Sequence, residues 1–369
     1  MNLQIALRTL RLACGLVLMA FVAGHLGNLV LGLHSLAAME AGRPYLMGPW
    51  RSGPGIILLA GAALGHIALG LYAVVSRRSL TMTRTDVVQL TLGLLTPPLL
   101  LNHAMVMHTA GHVTPNFTDT FGQMLAVYWS FSPRYAFQQL AVVMVVWIHA
   151  AVGLYSWLAL KPVWKRIGGL VLPLLFAIPI LALLGFAEVG KEVLDRLASD
   201  ATWRQHIIDN LNKVVAVTKP MEATQDRILL AYGILVAAAF GALAWKILRA
   251  RMRKVQVRYD GGAVATGRAG LSILELSILG DIPHAHVCSG RGRCGTCRVR
   301  VDAGAGALSP LEEHERRTLL RVGADPESRL ACQAHVQGEG VKVTRLLPPY
   351  ADASAARAPG EWARAEGAP

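Results

Sequence analysis

The sequence predicts an α-helical membrane bundle of six transmembrane helices followed by a small α+β domain. Composition carries the first half of that reading. The 369 residues are 53% hydrophobic and only 16% charged, with mean hydropathy +0.42, too little charge for a soluble chain of this size. A change of pattern carries the second half. After Arg253 the long apolar runs give way to short alternating segments, glycine turns and four closely spaced cysteines. The expected division is a membrane domain over 1–250, a small domain over 251–348, and a tail over 349–369. The tail is rich in Ala, Arg, Glu and Pro, and is expected to be disordered.

Six runs reach the length of about 20 apolar residues that a hydrocarbon core requires. They are roughly Leu12–Leu33, Ile56–Ser76, Val87–His108, Ala141–Leu160, Ile167–Val189 and Leu229–Ile247. The third contains Pro97-Pro98, where a kink is expected, with neighbouring helices satisfying the freed carbonyls. Orientation follows from Lys and Arg near the span ends. One side carries Arg8, Arg11, Arg77, Arg78, Arg84, Lys161, Lys165, Arg166, Lys246, Arg249, Arg251, Arg253 and Lys254 against a single acid, Asp86. The opposite loops are close to balanced. Both termini are therefore expected on the cytoplasmic side. The net charge of +13 is then explained without nucleic acid.

Between the fifth and sixth spans, Val193, Leu194, Leu197, Ile207, Ile208 and Leu211 recur at near-helical spacing. One or two amphipathic helices on the outer surface are expected there, with a solvated loop as the alternative. In the small domain, Lys254–Asp260, Gly261-Gly262 and Val264–Arg268 read as a β-hairpin. Leu271–Leu279 reads as a short helix, and Ser309–Val322 as a second, with Ser309 as its cap and Glu312 three residues on. Val341–Leu346 reads as a closing strand.

Cys14 lies alone in an apolar run. The other four cysteines are spaced Cys288-x5-Cys294-x2-Cys297-x34-Cys332. That clustering indicates a metal site rather than a disulfide framework. Three of the four lie in one loop that must wrap a small anionic cluster, and Gly290, Gly292 and Gly295 supply the backbone freedom for it. Zinc, the alternative, prefers two close cysteine pairs. His284 and His286 read as local hydrogen-bonding residues, because a Rieske site replaces two cysteines by histidines and four cysteines are present. The loop, the Arg298-Val-Arg-Val that follows it and the Leu330-Ala-Cys-Gln return resemble the [2Fe–2S] ferredoxins. Five residues separate the first two cysteines, as in the adrenodoxin-like branch, where the plant type has four. The resemblance implies a β-grasp fold, a [2Fe–2S] cluster, and Cys288, Cys294, Cys297 and Cys332 as its ligands.

Each of the first four spans carries a histidine at depth: His25, His66, His103 and His149. Ionisable groups in a span are costly and point to function, and helix bundles house cofactors between facing helices. Haem b with two axial imidazoles needs one histidine from each of two helices. His25 and His103 lie toward the outside of their spans, and His66 and His149 near the middle. The expected pairs are therefore His25 with His103 and His66 with His149, giving two haems. One haem, a proton relay or plain packing are the alternatives. His34, His108 and His112, with Arg134 nearby, lie at the outer edge, either as interfacial polar residues or as part of a quinone site.

The membrane part also resembles a known architecture. His25-Leu-Gly-Asn28, Arg51-Ser-Gly-Pro-Gly, Trp129-Ser-Phe-Ser-Pro133 and Trp147-Ile-His149 are similar to the six-helix anchor of certain bacterial adenylate cyclases. Those proteins join a succinate-dehydrogenase-like dihaem b anchor to a ferredoxin domain and then to a cyclase. The resemblance implies haem b at the intramembrane histidines and a response to the quinone pool. Only about 20 residues follow Pro348, too few for a catalytic domain, so cyclase activity is not expected of this sequence. The expectation is a membrane redox protein that passes electrons between quinone, haem b and a cytoplasmic [2Fe–2S] cluster, as carrier or redox sensor for a cytoplasmic redox or signalling partner. The alternatives are a quinone-dependent oxidoreductase subunit, docking through Glu312, Glu313 and Glu315, and the sensory anchor part of a redox-regulated adenylate cyclase.

Overall fold

The computed structural model describes residues 3–77, 79–80, 82–113, 117, 119–161, 163–249 and 253–357. Helices fill the first 250 positions: α1 (Leu3–Val30), α2 (Leu36–Leu46), α3 (Gly48–Arg51), α4 (Gly53–Val75), α5 (Arg84–Val113), α6 (Phe121–Ala126), α7 (Arg134–Leu158), α8 (Trp164–Ser199) and α9 (Ala201–Arg249). Six segments are long and apolar enough to cross a membrane: Ala6–Leu33, Gly53–Val75, Arg84–Met107, Arg134–Leu158, Trp164–Ser199 and Pro220–Arg249. They coincide in order with the six expected spans.

Helix α1 packs on α4 and α8, α5 packs on α7, and α9 closes against α4, α5 and α8. The α1–α8 approach depends on Gly185, where a Cβ would run into the Leu29 carbonyl. Prolines inside spans free the carbonyl four residues earlier, and neighbouring helices answer it. Pro98 frees Leu94, whose oxygen accepts the Tyr232 hydroxyl of α9 at 2.9 Å. Pro179 frees Leu175, whose oxygen accepts the Trp147 indole of α7 at 2.6 Å.

The segment between the last two spans differs from expectation. It is not a pair of helices laid on a surface. Helix α8 runs on to Ser199 and α9 begins at Ala201, so both spans extend past their apolar windows as a helical hairpin. The periodic apolar residues face inward. Val193, Leu197 and Ile207 are buried against Leu36, Met124 and Leu125, and the Gln123 amide donates to the Ile207 carbonyl at 3.2 Å.

The second unit is a mixed sheet of β1 (Lys254–Tyr259), β2 (Val264–Arg268), β3 (Arg298–Ala303), β4 (Ser328–Leu330) and β5 (Val341–Arg345), in the order β2-β1-β5-β3-β4. β1 and β5 pair in parallel, and the other neighbours are antiparallel. Alternation in β1 turns Val255, Val257 and Tyr259 into the core. Helix α10 (Ile273–Leu279) covers that face, started by a capping box between Ser272 and Glu275. Helix α11 spans Glu313–Arg321, four residues later than expected. Ser309 does not cap it, because its hydroxyl accepts the His335 amide at 3.1 Å instead. The tail is ordered further than expected. Ala351 packs against Ala285 and Leu347, Ala356 is fully buried, and residues beyond Arg357 lie outside the described ones.

Candidate functional site

The cysteine loop runs from Cys288 to Cys297 between α10 and β3. Gly290, Gly292 and Gly295 have φ of 77°, 65° and 82°, so all three use the left-handed backbone that favours glycine. Cys332 returns just after β4. All four sulfurs are buried, and they pair off. Cys288 is hydrogen-bonded to Cys294, and Cys297 to Cys332. The thiol of Cys294, then the backbone N–H groups of Arg293, Cys294 and Arg291, hold the Cys288 sulfur down at about 5. Cys297, hydrogen-bonded to the Cys332 sulfur and desolvated, is pushed up. Thr296 Oγ1 lies 3.1 Å from Cys294 Sγ, and the Gln333 amide donates to Cys332 Sγ at 3.2 Å.

This donor set fits a diiron cluster. Two cysteines would serve each of two irons, and the inward N–H groups would stabilise the sulfur charge. Among the described residues, no three His, Cys, Asp or Glu side chains gather as they would for a single metal ion.

The four histidines carried by the long apolar helices form two pairs. His25 on α1 and His103 on α5 have ring centroids 6.0 Å apart. His66 on α4 and His149 on α7 have centroids 6.1 Å apart. Metal–imidazole bonds are about 2.0–2.1 Å, so two axial imidazoles on one iron place their centroids about 6 Å apart. In three of the four rings Nδ1 is engaged. His66 Nδ1 lies 3.1 Å from the Arg11 carbonyl, His149 Nδ1 lies 3.0 Å from the Gln89 carbonyl, and His103 Nδ1 lies 3.1 Å from the Tyr128 hydroxyl. That leaves Nε2 as the free ligand atom, the arrangement that orients metal-bound histidine. His25 stacks on Phe21 at 5.9 Å, and its buried Nδ1 has no partner among the described residues.

One cavity of about 1220 Å³ contains both pairs. Its walls are closest at glycines. A Cβ on Gly93 would lie 2.7 Å from His149, and one on Gly15 would lie 3.0 Å from His66. At the end beyond His25 it is lined by Trp50, Arg43, Arg51 and Asp119; both arginines bind Asp119, at 2.8 and 2.5 Å. At the other end it reaches Gly290, Arg291, Arg293, Cys332 and Gln333 of the cysteine loop. The two units meet there. Arg291 binds Asp86 at 3.0 Å, Thr83 lies 3.3 Å from the Ser289 hydroxyl, and Ser79 binds Glu275.

Two groups of expected residues fare differently. His34 and Arg134 are exposed and line no part of the cavity, and the side chains of His108 and His112 lie outside the described ones. The acidic docking patch is not free. Glu315 is fully buried, binding Arg329 at 2.9 and 3.0 Å and the Leu330 amide at 2.8 Å. Glu313 binds Arg317. Sequence reading missed Gly15, Gly93, Tyr128 and the junction arginines as site residues. Only the basic flank of the spans marked Arg8, Arg11 and Arg77.

A small mixed sheet with four buried cysteines around one loop defines an iron–sulfur electron-transfer domain. The family profile described as a 2Fe-2S iron-sulfur cluster binding domain matches residues 259–337. The 2Fe-2S ferredoxin-5 of Aquifex aeolicus is 37% identical over 76 residues, 20% of this chain and 79% of that protein. The 2Fe-2S ferredoxin of Pseudomonas aeruginosa is 36% identical over 90 residues, 24% of this chain and 79% of that protein. The crystal structure of an ISC-like [2Fe-2S] ferredoxin from Pseudomonas putida aligns over 27% of this chain and 94% of its own, with 28% identity and TM-score 0.23. Through residues 259–337 the chain belongs to the 2Fe-2S ferredoxin family, whose chemistry is electron transfer.

Proposed function

We propose that this protein is a membrane redox protein of the bacterial inner membrane. It would pass electrons between the quinone pool, two haem b groups and a cytoplasmic [2Fe–2S] cluster, as carrier or redox sensor. His25 with His103 would hold the outer haem, and His66 with His149 the inner. Cys288, Cys294, Cys297 and Cys332 would hold the cluster. Bound, each group supplies one-electron exchange.

One observation carries the reading. Two histidine pairs, each at the ring separation of axial ligands, share a cavity that ends on the cysteine loop. The chain's own groups set the rest. The Arg11 and Gln89 carbonyls fix the inner imidazoles, and Tyr128 fixes one outer imidazole. An imidazole on each side would leave no open position on the bound group, so the sites favour electron relay over binding of oxygen or substrate. A partner that reaches the outer pair from within the bilayer must be lipid-soluble, which supports a quinone or quinol. The basic flanks support cytoplasmic termini.

The test is the reduced-minus-oxidised visible spectrum of the purified protein, with EPR on the same sample. A b-type band is expected, about halved in His66→Ala or His149→Ala because only the inner ligand pair is broken. A rhombic [2Fe–2S] signal should persist in both variants. A protein with the cluster signal and no b-type band refutes the haem assignment.

A further inference from the structure

The inner end of the cavity carries more positive charge than the fold neutralises. Arg8 and Arg11 of α1, Arg77 just after α4, and Arg291 and Arg293 of the cysteine loop all line it. Arg8 donates to the Arg291 carbonyl at 3.4 Å, so the two units interlock within the cluster. Three carboxylates line the same end. Asp86 is taken by Arg291 at 3.0 Å and by the Thr83 hydroxyl at 2.8 Å. Glu275 accepts from the amide of Ser272 at 2.8 Å, from its hydroxyl at 2.9 Å, and from Ser79. Glu312 is exposed and lies 3.3 Å from His314. Among the described residues, Arg8, Arg11, Arg77 and Arg293 have no carboxylate within ion-pair distance.

Guanidinium groups that share a half-buried pocket repel one another. An anion relieves that repulsion, and arginine's planar fork suits carboxylates in particular. The cluster is also tied to the inner histidine pair, because the Arg11 carbonyl lies 3.1 Å from His66 Nδ1. An anion carried by a ligand on His66 and His149 would fall among these arginines.

We propose that Arg8, Arg11, Arg77, Arg291 and Arg293 bind the two carboxylates at the edge of the porphyrin held by His66 and His149, so that the inner haem pins the cysteine loop to the membrane helices. The inference rests on the haem reading above. Its consequence is an order of assembly. The ferredoxin unit docks fully only once the inner haem is in place, and the porphyrin edge then lies against the loop that holds Cys288 and Cys294.

The test uses the full chain, prepared without haem and reconstituted with haem b or with haem b dimethyl ester, whose ring and iron are the same but whose carboxylates are blocked. Hydrogen exchange is followed over 289–293 and 84–89. Haem b should slow exchange about tenfold relative to the apoprotein. The ester should give the b-type band without the slowing. Arg8→Gln with Arg293→Gln should bind haem b and exchange like the ester form. Equal protection by the ester, or protection of the apoprotein by inorganic phosphate alone, overturns the carboxylate assignment. A b-type band with no protection overturns the pinning and leaves the haem reading standing. No band with either compound overturns both.

Discussion

Of the histidines proposed as haem ligands, His103 differs from His66 and His149 in what holds its second nitrogen. His66 and His149 each face a backbone carbonyl, whereas His103 faces the Tyr128 hydroxyl at 3.1 Å. Tyr128 is presented by a π-helical turn, Val127–Phe131, an irregularity that often re-aims a side chain at a functional site. Were Nε2 to hold an iron, Nδ1 would carry the proton and donate to the phenol oxygen, which would make the imidazole more electron-rich and favour the oxidised metal. Tyr128→Phe removes that acceptor, a change of about 1 kcal/mol, or about fivefold in the reduction equilibrium. The outer haem should become easier to reduce and the inner should not move, as read by potentiometric titration of the two b-type components. In the ferredoxin unit, His284 is held to about 4 by burial first, then by the charges of Arg345 and His286. Its Nδ1 lies 2.8 Å from the Ser277 hydroxyl. The folded value is below the unfolded value of about 6.5, so the unfolded chain binds more protons between about pH 6.5 and 4. Stability from this group is full above that window and is lost as pH falls through it, by about 3 kcal/mol at most. Denaturant midpoints of the ferredoxin unit at pH 7 and pH 4.5 should show the loss in the parent chain and a smaller one in His284→Gln.

Helix packing in the bundle turns on small residues where backbones touch. At Gly185 the α8 backbone meets the Leu29 carbonyl of α1, and a Cβ on Gly32 would in turn lie 2.8 Å from the Gly185 carbonyl. Close approach of this kind is how helices associate where there is no hydrophobic drive between them. Gly185→Ala forces α1 and α8 apart and should cost about 1–3 kcal/mol. Thermal melts in detergent should move down while the iron–sulfur absorbance of the ferredoxin unit is kept. How far each element was legible follows from the range of the forces that make it. The six spans, the hairpin and the three loop glycines follow from local pattern. The pairing of His25 with His103 and of His66 with His149 also came through, because the span ends fix each residue's depth. Gly15 and Gly93 did not, because each faces a histidine on another helix and nothing near it in sequence marks that. The helix start expected at Ser309 failed for a similar reason. Its hydroxyl has a choice of partners, and the His335 amide, 26 residues away, wins. Glu315 reads as a surface acid until the fold brings Arg329 and the Leu330 amide to it.

Across the whole molecule, the contact between bundle and ferredoxin unit decides whether the two halves form one electron path. Cavity wall runs from His25 and His103, past His66 and His149, to Gly290 and Cys332. Among the described residues the polar contacts include Arg8 with the Arg291 carbonyl, Arg291 with Asp86, Thr83 with Ser289, Ser79 with Glu275, and Arg268 with the Ile247 carbonyl at 3.4 Å. Asp86 is the carboxylate that the positively charged loop reaches, and its side chain is largely buried. Removing one partner of a buried pair leaves the other charge without compensation, at a cost of about 3–5 kcal/mol. Asp86→Asn should therefore loosen the loop without touching either histidine pair. In vesicles given a quinol, the b-type component proposed for His25 and His103 should reduce at the parent rate, because neither histidine is among the partners of Asp86. Reduction of the cluster should slow by about tenfold or more, since even a small displacement of a positioned group costs rate steeply. Stopped-flow absorbance at the haem and iron–sulfur bands separates the two steps. Equal slowing of both bands would mean that Asp86 supports the bundle as a whole. No slowing of either would mean that electrons reach the cluster by a route other than the junction described.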